Sequence, residues 1–384
     1  MRLIEEKIHL INEKITSDFK TISDVGALNG LGGLALFTFH YSKAFNVEDK
    51  TGRLILENCI EKINDGYDNP TYCNGIIGLG WVLNYLIKEK LINESNNEIL
   101  PDIDKYAYYC LQESIKENNF DFLHGAIGYA NYLIERLENS TDSNREVIEQ
   151  LLFLLIEYFE TLFNNIQLFS RDPKVIVKMS FENKVVFGLA HGISSIIFIL
   201  NKISKIPSFN KKSILLAIQY TDHLLKYYSP EKKGISLFPN YEDVEGVVKY
   251  CSALSWCSGD LGIGFNLLNT SVRYNHNDNY KKLGIQILKH AAERQTLEDT
   301  LLQSTGICHG YFGAYKIFSN TYKITNDSDF DTASKYWLNK GLENLEISTK
   351  LDLSILYGLS GIGLTLLEVF KSQQLNWDKS LFLH

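Results

Sequence analysis

Two kinds of apolar segment alternate along the chain, and both have the spacing of helices. Residues 1–20, 144–163 and 211–228 place apolar side chains on one face and charged side chains on the opposite face. Residues 129–134 and 196–200 carry almost no charge on any face. The first pattern predicts helices that are half exposed, and the second predicts helices that are buried on most sides. The chain is therefore expected to pair outer with inner helices.

A short glycine motif precedes the apolar segments and divides the chain into repeats. His124-Gly125-Ala126-Ile127-Gly128 is one copy, and in another copy Ser195 replaces the second glycine. The first glycines of the seven copies stand at positions 30, 75, 125, 192, 259, 310 and 358. This regular recurrence indicates a repeat architecture. We predict an all-α fold, an (α/α) toroid of seven inner and seven outer helices with the motif loops on one face.

The predicted domain organisation is simple. No linker rich in glycine, serine or proline divides the chain, so residues 1–384 are interpreted as one toroid domain. Two of the intervals between motifs are longer than the others, and residues 229–250 lack a helical pattern. We expect that stretch to be a surface excursion of loop or short strands near the functional face.

Composition and charge exclude several classes of protein. The chain has 26 glycines but only 6 prolines, and its net charge of −8 disfavours a nucleic-acid partner. Its amphipathic N-terminus does not resemble a signal peptide, and its apolar, uncharged run 185–200 is shorter than the ~20 residues of a membrane span. We expect no membrane span and a cytoplasmic location.

Six cysteines are too few for a disulfide scaffold in a chain of this length, which favours reduced thiols or metal ligands.

Two cysteines and a histidine stand in matching positions of successive repeats. Cys257 lies two residues before one motif glycine, Cys308 lies two residues before the next, and His309 follows Cys308. Two thiolates and an imidazole suit Zn²⁺, and three protein ligands with an open fourth position are typical of a catalytic zinc site. The alternative is that these residues are two buried core cysteines and a histidine that caps a helix.

Further titratable residues stand at the same face of the predicted ring. His191 and His124 directly precede motif glycines, and Asp121 lies four residues before Gly125. A histidine and a carboxylate beside a metal site suit proton transfer. The alternative is a histidine bonded to a loop carbonyl and an aspartate that caps a helix. For His124 we prefer this structural interpretation, because one acid or base is usually enough.

The motifs together resemble those of the lanthionine synthetase C (LanC-like) family. The resemblance rests on Trp256-Cys257-Ser258-Gly259, on Cys308-His309-Gly310 about fifty residues later, and on Leu189-Ala190-His191-Gly192. It extends over nearly the whole chain, from residue 28 to residue 383. It implies a toroid of seven plus seven helices, zinc bound by Cys257, Cys308 and His309, and acid–base roles for His191 and Asp121. Bacterial cyclases of the family often carry an arginine where this chain has Ala253, and His124 has no counterpart that can be carried over.

The resemblance also implies an activity. Enzymes of this type add a peptide cysteine to dehydroalanine or dehydrobutyrine and form (methyl)lanthionine thioether rings. The implied partners are a dehydrated precursor peptide, a dehydratase and a peptide transporter. Two alternatives stay open: the addition of a small thiol such as glutathione to dehydroamino acids, and a non-catalytic, zinc-stabilised scaffold that binds peptides.

Two other enzyme classes built on α/α toroids fit less well. A zinc prenyltransferase subunit needs a basic pocket for a diphosphate, and arginine-rich loops are not evident at the motif face. A glycosidase needs paired carboxylates, and only Asp121 and Asp260 lie in the motif loops.

Overall fold

The protein is predominantly helical in the computed structural model. The structure describes residues 1–93, 98–137, 142–168, 184–231, 235–243, 245–273, 278–347 and 351–384. Within these ranges it contains fifteen α-helices and two short strands. None of the helices in the described ranges has a stretch that is both long and apolar enough to cross a membrane.

The bounds of the helices are as follows. In chain order they are α1 (Arg2–Asp18), α2 (Leu31–Phe45), α3 (Lys50–Asn64), α4 (Ile76–Lys88), α5 (Leu100–Lys116), α6 (Ala126–Arg136), α7 (Asp142–Leu168), α8 (Ile193–Ile203), α9 (Asn210–Leu225), α10 (Asp260–Arg273), α11 (Asp278–Glu293), α12 (Leu297–Thr300), α13 (Tyr311–Thr325), α14 (Ser328–Asn344) and α15 (Leu359–Lys371). Three 3₁₀ turns cover Phe19–Thr21, Pro207–Phe209 and Trp377–Leu381.

Every motif glycine stands directly before a helix, as the repeats predict. These seven helices are α2, α4, α6, α8, α10, α13 and α15. Most residues of α2, α4 and α15 are buried, whereas α1 buries only its isoleucine face. The other longer helices, α1, α3, α5, α7, α9, α11 and α14, alternate with these seven, and α12 is an additional helix of only four residues. The predicted alternation of seven and seven helices is confirmed.

A small antiparallel sheet lies next to one motif loop. Strand β1 (Lys184–Val186) pairs with β2 (Tyr241–Asp243), and Val185 lies opposite Glu242. Strand β2 belongs to the predicted excursion 229–250, whose described residues contain no helix. Those described residues form one short strand and otherwise irregular backbone. Strand β1 lies a few residues before the turn that carries His191. The excursion is therefore hydrogen-bonded, through β2, to the segment that leads into this turn.

Contacts group the chain into two compact units, and each is described by itself. The first unit comprises Met1–Cys110, Ser304–Lys316 and Lys335–His384. In this unit α15 packs against both α1 and α2. The backbone N–H groups of Ile355 and Leu356 donate to the carbonyl of Leu28, at 3.0 and 3.2 Å. The last motif loop of the chain is therefore hydrogen-bonded to the first.

The second unit comprises Leu111–Gln303 and Ile317–Ser334. Here α8 packs against α6, α9 and α10, and α10 makes an extensive contact with α11. Consecutive motif loops are again joined through their backbones, because the N–H of Ala190 donates to the carbonyl of Cys257 at 3.2 Å. The interpretation of residues 1–384 as one domain stays a prediction.

Close backbone packing explains the glycine at the start of the motif helices. At Gly192 a Cβ atom would overlap with the carbonyl of Val186, and at Gly259 it would overlap with the carbonyl of Ala253. Backbone atoms cannot move aside as the end of a flexible side chain does, so any larger residue would force the turn open. The glycine thus holds the preceding residue, His191 or Ser258, in a fixed place ahead of the helix.

Candidate active site

Asp121 is held in the turn before α6 by its own neighbours. Its carboxylate Oδ1 accepts the backbone N–H of His124 at 2.7 Å, and its own N–H donates to the side chain of Asn119 at 3.2 Å. The residue is only 9% exposed. The carboxylate is therefore fixed in position and largely shielded from water.

The same carboxylate binds two imidazole rings. Its Oδ2 lies 2.5 Å from Nδ1 of His191, and its Oδ1 lies 3.3 Å from Nδ1 of His124. The two rings are nearly parallel, with an interplanar angle of 6° and centroids 6.2 Å apart. We call Asp121, His124 and His191 the His–Asp–His cluster. The structure thus brings the predicted pair His191 and Asp121 together, and it adds His124.

The charge of Asp121 follows from these contacts. Burial raises the pKa of this carboxyl, but hydrogen bonds from His124 and His191 outweigh burial and lower the pKa to about 2. Asp121 is therefore ionised at neutral pH and accepts hydrogen bonds from both rings. The nitrogen of each ring that does not face the carboxylate is Nε2.

Cys257 lies in the turn that precedes α10 and is half-buried. Its Sγ lies 3.7 Å from the hydroxyl of Ser255 and 3.8 Å from that of Ser258. Its carbonyl accepts the N–H of Ala190, the residue before His191. The turn of a predicted metal ligand and the turn of the predicted acid are therefore direct neighbours.

Asp260 and Arg294 support the Cys257 turn, and the sequence analysis did not identify this role. The fully buried carboxylate of Asp260 accepts the N–H groups of Leu237 and Phe238, at 2.8 and 3.1 Å. Arg294 lies 3.5 Å from that carboxylate and donates to the carbonyl of Ser252 at 2.7 Å. Burial raises the pKa of Asp260, and the bond from Leu237 and the charge of Arg294 offset this only in part. In a sequence, an aspartate at the first position of a helix is readily explained by its favourable interaction with the helix dipole, so it does not indicate such a supporting role.

At Ala253, where the family often has an arginine, only backbone atoms make polar contacts. Its carbonyl accepts the N–H of Ser255 at 2.9 Å and lies against Gly259. Arg294 does not replace the missing guanidinium at a substrate, since it is 5% exposed and bonded to backbone carbonyls.

Cys308 and His309 lie in the turn that precedes α13, in the first unit. Cys308 is buried, and its backbone N–H donates to the carbonyl of Leu356 at 2.8 Å. His309 is exposed, and its ring centroid lies 5.5 Å from that of Tyr357. None of the six cysteines, all of which lie in the described ranges, forms a disulfide.

Within the second unit, the described His–Asp–His cluster has a donor set that could hold a metal ion. The predicted zinc ligands offer thiol and imidazole donors, Cys257 in the second unit and Cys308 with His309 in the first. Soft thiolate donors with an imidazole favour zinc. In the His–Asp–His cluster the three ligand atoms lie within 4.8 Å of one another.

Comparisons with known proteins agree with the motifs. Residues 21–382 match the family model "Lanthionine synthetase C-like protein". The nisin biosynthesis protein NisC of Lactococcus lactis subsp. lactis is 25% identical over 299 residues, which cover 71% of this chain and 68% of that protein. A solved structure of nisin cyclase, 21% identical, matches with a TM-score of 0.76 over 100% of this chain and 98% of that one. The fold is therefore an α/α toroid, and the chain belongs to the lanthionine synthetase C-like family.

Proposed function

We propose that this protein is a zinc-dependent cyclase that adds a cysteine thiol of a peptide to a dehydroalanine or dehydrobutyrine of the same peptide. The product is a (methyl)lanthionine thioether ring. Family membership and the similarity to nisin cyclase support this proposal. The observation that carries it is the contact between two turns, since the turn of His191 donates a backbone hydrogen bond to Cys257. This contact places the proposed proton-transfer pair, His191 and Asp121, next to the turn of the proposed metal ligand Cys257, so that both can act in one reaction.

Cys257, Cys308 and His309 are the proposed zinc ligands. The donor set fits, because two thiols and one imidazole at matching places of successive repeats leave one tetrahedral position for a substrate. Cys308 is 5% exposed, which suits a ligand that must not react freely with solvent. A zinc ion held by these residues would lower the pKa of a substrate thiol below the free value of about 8.5 and so make a thiolate available at neutral pH.

His191 is the proposed acid of the reaction. Addition of sulfur to the β-carbon leaves an enolate, and a proton must then be delivered to the α-carbon. Asp121 holds Nδ1 of His191 at 2.5 Å, so Nε2 is the nitrogen that can deliver this proton. The ionised carboxylate also stabilises the imidazolium form that acts as the acid. Asp121 is therefore proposed as the residue that orients and charges His191.

The chemistry of the substrate defines the partners. Dehydroalanine and dehydrobutyrine arise from serine and threonine by loss of water, so a dehydratase must act on the precursor peptide first. The cyclised peptide is then the cargo of a peptide transporter. We place these steps in the cytoplasm.

Ring formation is tested with the purified protein and a dehydrated precursor peptide. Cyclisation leaves the peptide mass unchanged but removes thiols that an alkylating reagent would label. We expect the wild type to protect cysteines and to contain about one zinc per chain. A gain in mass after glutathione is supplied would instead indicate small-thiol addition.

Two matched cysteine variants test the metal site. Cys308→Ala should lose both zinc and ring formation, because one of three ligands is removed. Cys59→Ala, which changes a buried cysteine on α3, should keep both. If Cys308→Ala retained full zinc and the wild-type rate, the proposed ligand set would be wrong.

A further inference from the structure

Asp121 binds one more imidazole than the proposed mechanism uses. A single ring, that of His191, is enough to deliver one proton. The ring of His124 nevertheless lies 3.3 Å from the other carboxylate oxygen, parallel to the first ring. The fold does not depend on this ring, since the backbone N–H of His124 already bonds Asp121 and the side chain is 44% exposed. The position of the second ring therefore calls for a chemical explanation.

The single carboxylate of Asp121 faces both imidazole rings. With both rings neutral the His–Asp–His cluster carries the single negative charge of Asp121. With one imidazolium it is neutral, and with two it is positive in a partly buried place. The neutral state holds one protonated and one unprotonated ring at the same time. Such a pair contains an acid and a base.

The proposed reaction needs both. A proton leaves the thiol as the sulfur becomes a thiolate, the C–S bond forms at the β-carbon, and a proton arrives at the α-carbon. The two events concern different atoms, and no net proton is consumed. We propose that His124 is the second proton-transfer residue, which accepts the thiol proton while His191 delivers a proton to the α-carbon. This inference rests on the proposed function.

The cycle balances through solvent. After one turnover His124 carries the proton and His191 is neutral. His124, whose side chain is more exposed than that of His191 (44% against 28%), releases its proton to water, and His191 takes one up. The overall change is one S–H bond and one C=C π bond replaced by one C–S and one C–H bond.

The test is chemical rescue of two His124 variants with the dehydrated peptide. In His124→Ala and His124→Gln we expect full zinc content, an unchanged melting temperature and ring formation about 10²-fold slower. Added imidazole should restore part of the rate of His124→Ala, because the removed side chain leaves a space open to solvent. It should not restore His124→Gln, which fills that space, and it should not accelerate the wild type.

The outcomes separate the inference from the proposed function. Wild-type rates in both variants would overturn the role of His124 while the cyclase proposal stands. A loss that imidazole does not relieve in His124→Ala, together with a lower melting temperature, would show a structural role and overturn the inference. A wild-type protein that forms no thioether would overturn both proposals.

Discussion

Two clusters of carboxylates and cations in this protein look alike in chemistry but differ in their access to water. The His–Asp–His cluster of the second unit leaves 44% of the His124 side chain exposed. In the first unit, Nζ of Lys316 lies 2.5 Å from Glu368 and 3.0 Å from Asp378, and none of these three side chains is more than 8% exposed. We call Lys316, Glu368 and Asp378 the buried ion cluster.

The difference in access separates a chemical role from a structural one. Burial lowers the pKa of Lys316, but Asp378 and Glu368 outweigh burial and raise it, so the lysine stays charged. This cluster joins α13, α15 and the turn Trp377–Leu381, and it cannot exchange protons readily with water. The His–Asp–His cluster can, through an exposed ring. A perturbed charge in a protein therefore points to function only when solvent or substrate can reach it.

The largest expected effect is on catalysis and comes from Asp121→Asn. The change removes the charge that stabilises the imidazolium of His191, so the rate of ring formation should fall by about 10²–10⁴-fold. Zinc content should stay close to wild type, and stability should fall by no more than the about 2 kcal/mol that corresponds to the lowered pKa of Asp121. Single-turnover mass spectrometry with alkylation measures the rate, and loss of the metal in this variant would argue that Asp121 supports the zinc site instead.

The reverse pattern is expected for Lys316→Met. Removing the lysine leaves Glu368 and Asp378 buried without a cation, which should reduce the free energy of unfolding by about 3–5 kcal/mol. Ring formation at a temperature where the variant is folded should be unaffected. Urea titration followed by circular dichroism measures the stability, and an unfolding free energy equal to that of the wild type would remove the distinction between the two clusters.

A smaller effect concerns the pH dependence of stability. The pKa of Asp121 is lowered from 3.8 to about 2, so its contribution is present above pH 4 and is lost as pH falls towards 2. This shift corresponds to about 2 kcal/mol. The stability difference between wild type and Asp121→Asn should therefore shrink over that range.

Asp260→Asn is the control for this effect, because the contribution of Asp260 to the free energy of unfolding should change with pH in the opposite direction. Burial raises the pKa of Asp260, so the contribution of its ionisation to stability becomes less favourable as pH rises above 3.8. Unfolding curves between pH 2 and 6 distinguish the two carboxylates. Parallel pH profiles for the two variants would contradict the assigned charges.

The smallest effect is expected at an exposed ion pair. Lys289 contacts Asp327 at 2.9 Å and Asp329 at 2.7 Å, but its side chain is 41% exposed. Because water screens such pairs, Lys289→Met should leave both stability and ring formation unchanged within experimental error. It is the matched control for Lys316→Met, and a large loss of stability here would show that burial does not decide the outcome.

The sequence predicted much of the fold because the fold is repeated. Seven glycine motifs located seven helices, and the apolar or amphipathic pattern separated inner from outer helices. His191 and Asp121 were predicted to stand at the same face because both lie in motif loops, and the structure shows that their side chains are in contact. The repeat pattern locates residues on a face but does not determine which side chains pair.

The pairings that the sequence left open depend on contacts between distant parts of the chain. Lys316 looks like an ordinary charge within an apolar helix, and its partner Asp378 lies in the C-terminal turn. Arg294 and Asp260 are likewise joined only by packing. The ring of His124 was interpreted as structural, and the structure shows that it shares the carboxylate of Asp121 with His191.

The motif glycines have a consequence for how such a protein changes over evolutionary time. Close backbone packing fixes the glycine, but the residue before it differs from copy to copy. It is Asn29, Asn74, His124, His191, Ser258, His309 or Tyr357. A duplicated loop thus supplies a ready-made position whose side chain can be exchanged without rebuilding the backbone. New reactivity in this fold can arise by single substitutions, and protein engineers can use the same seven positions.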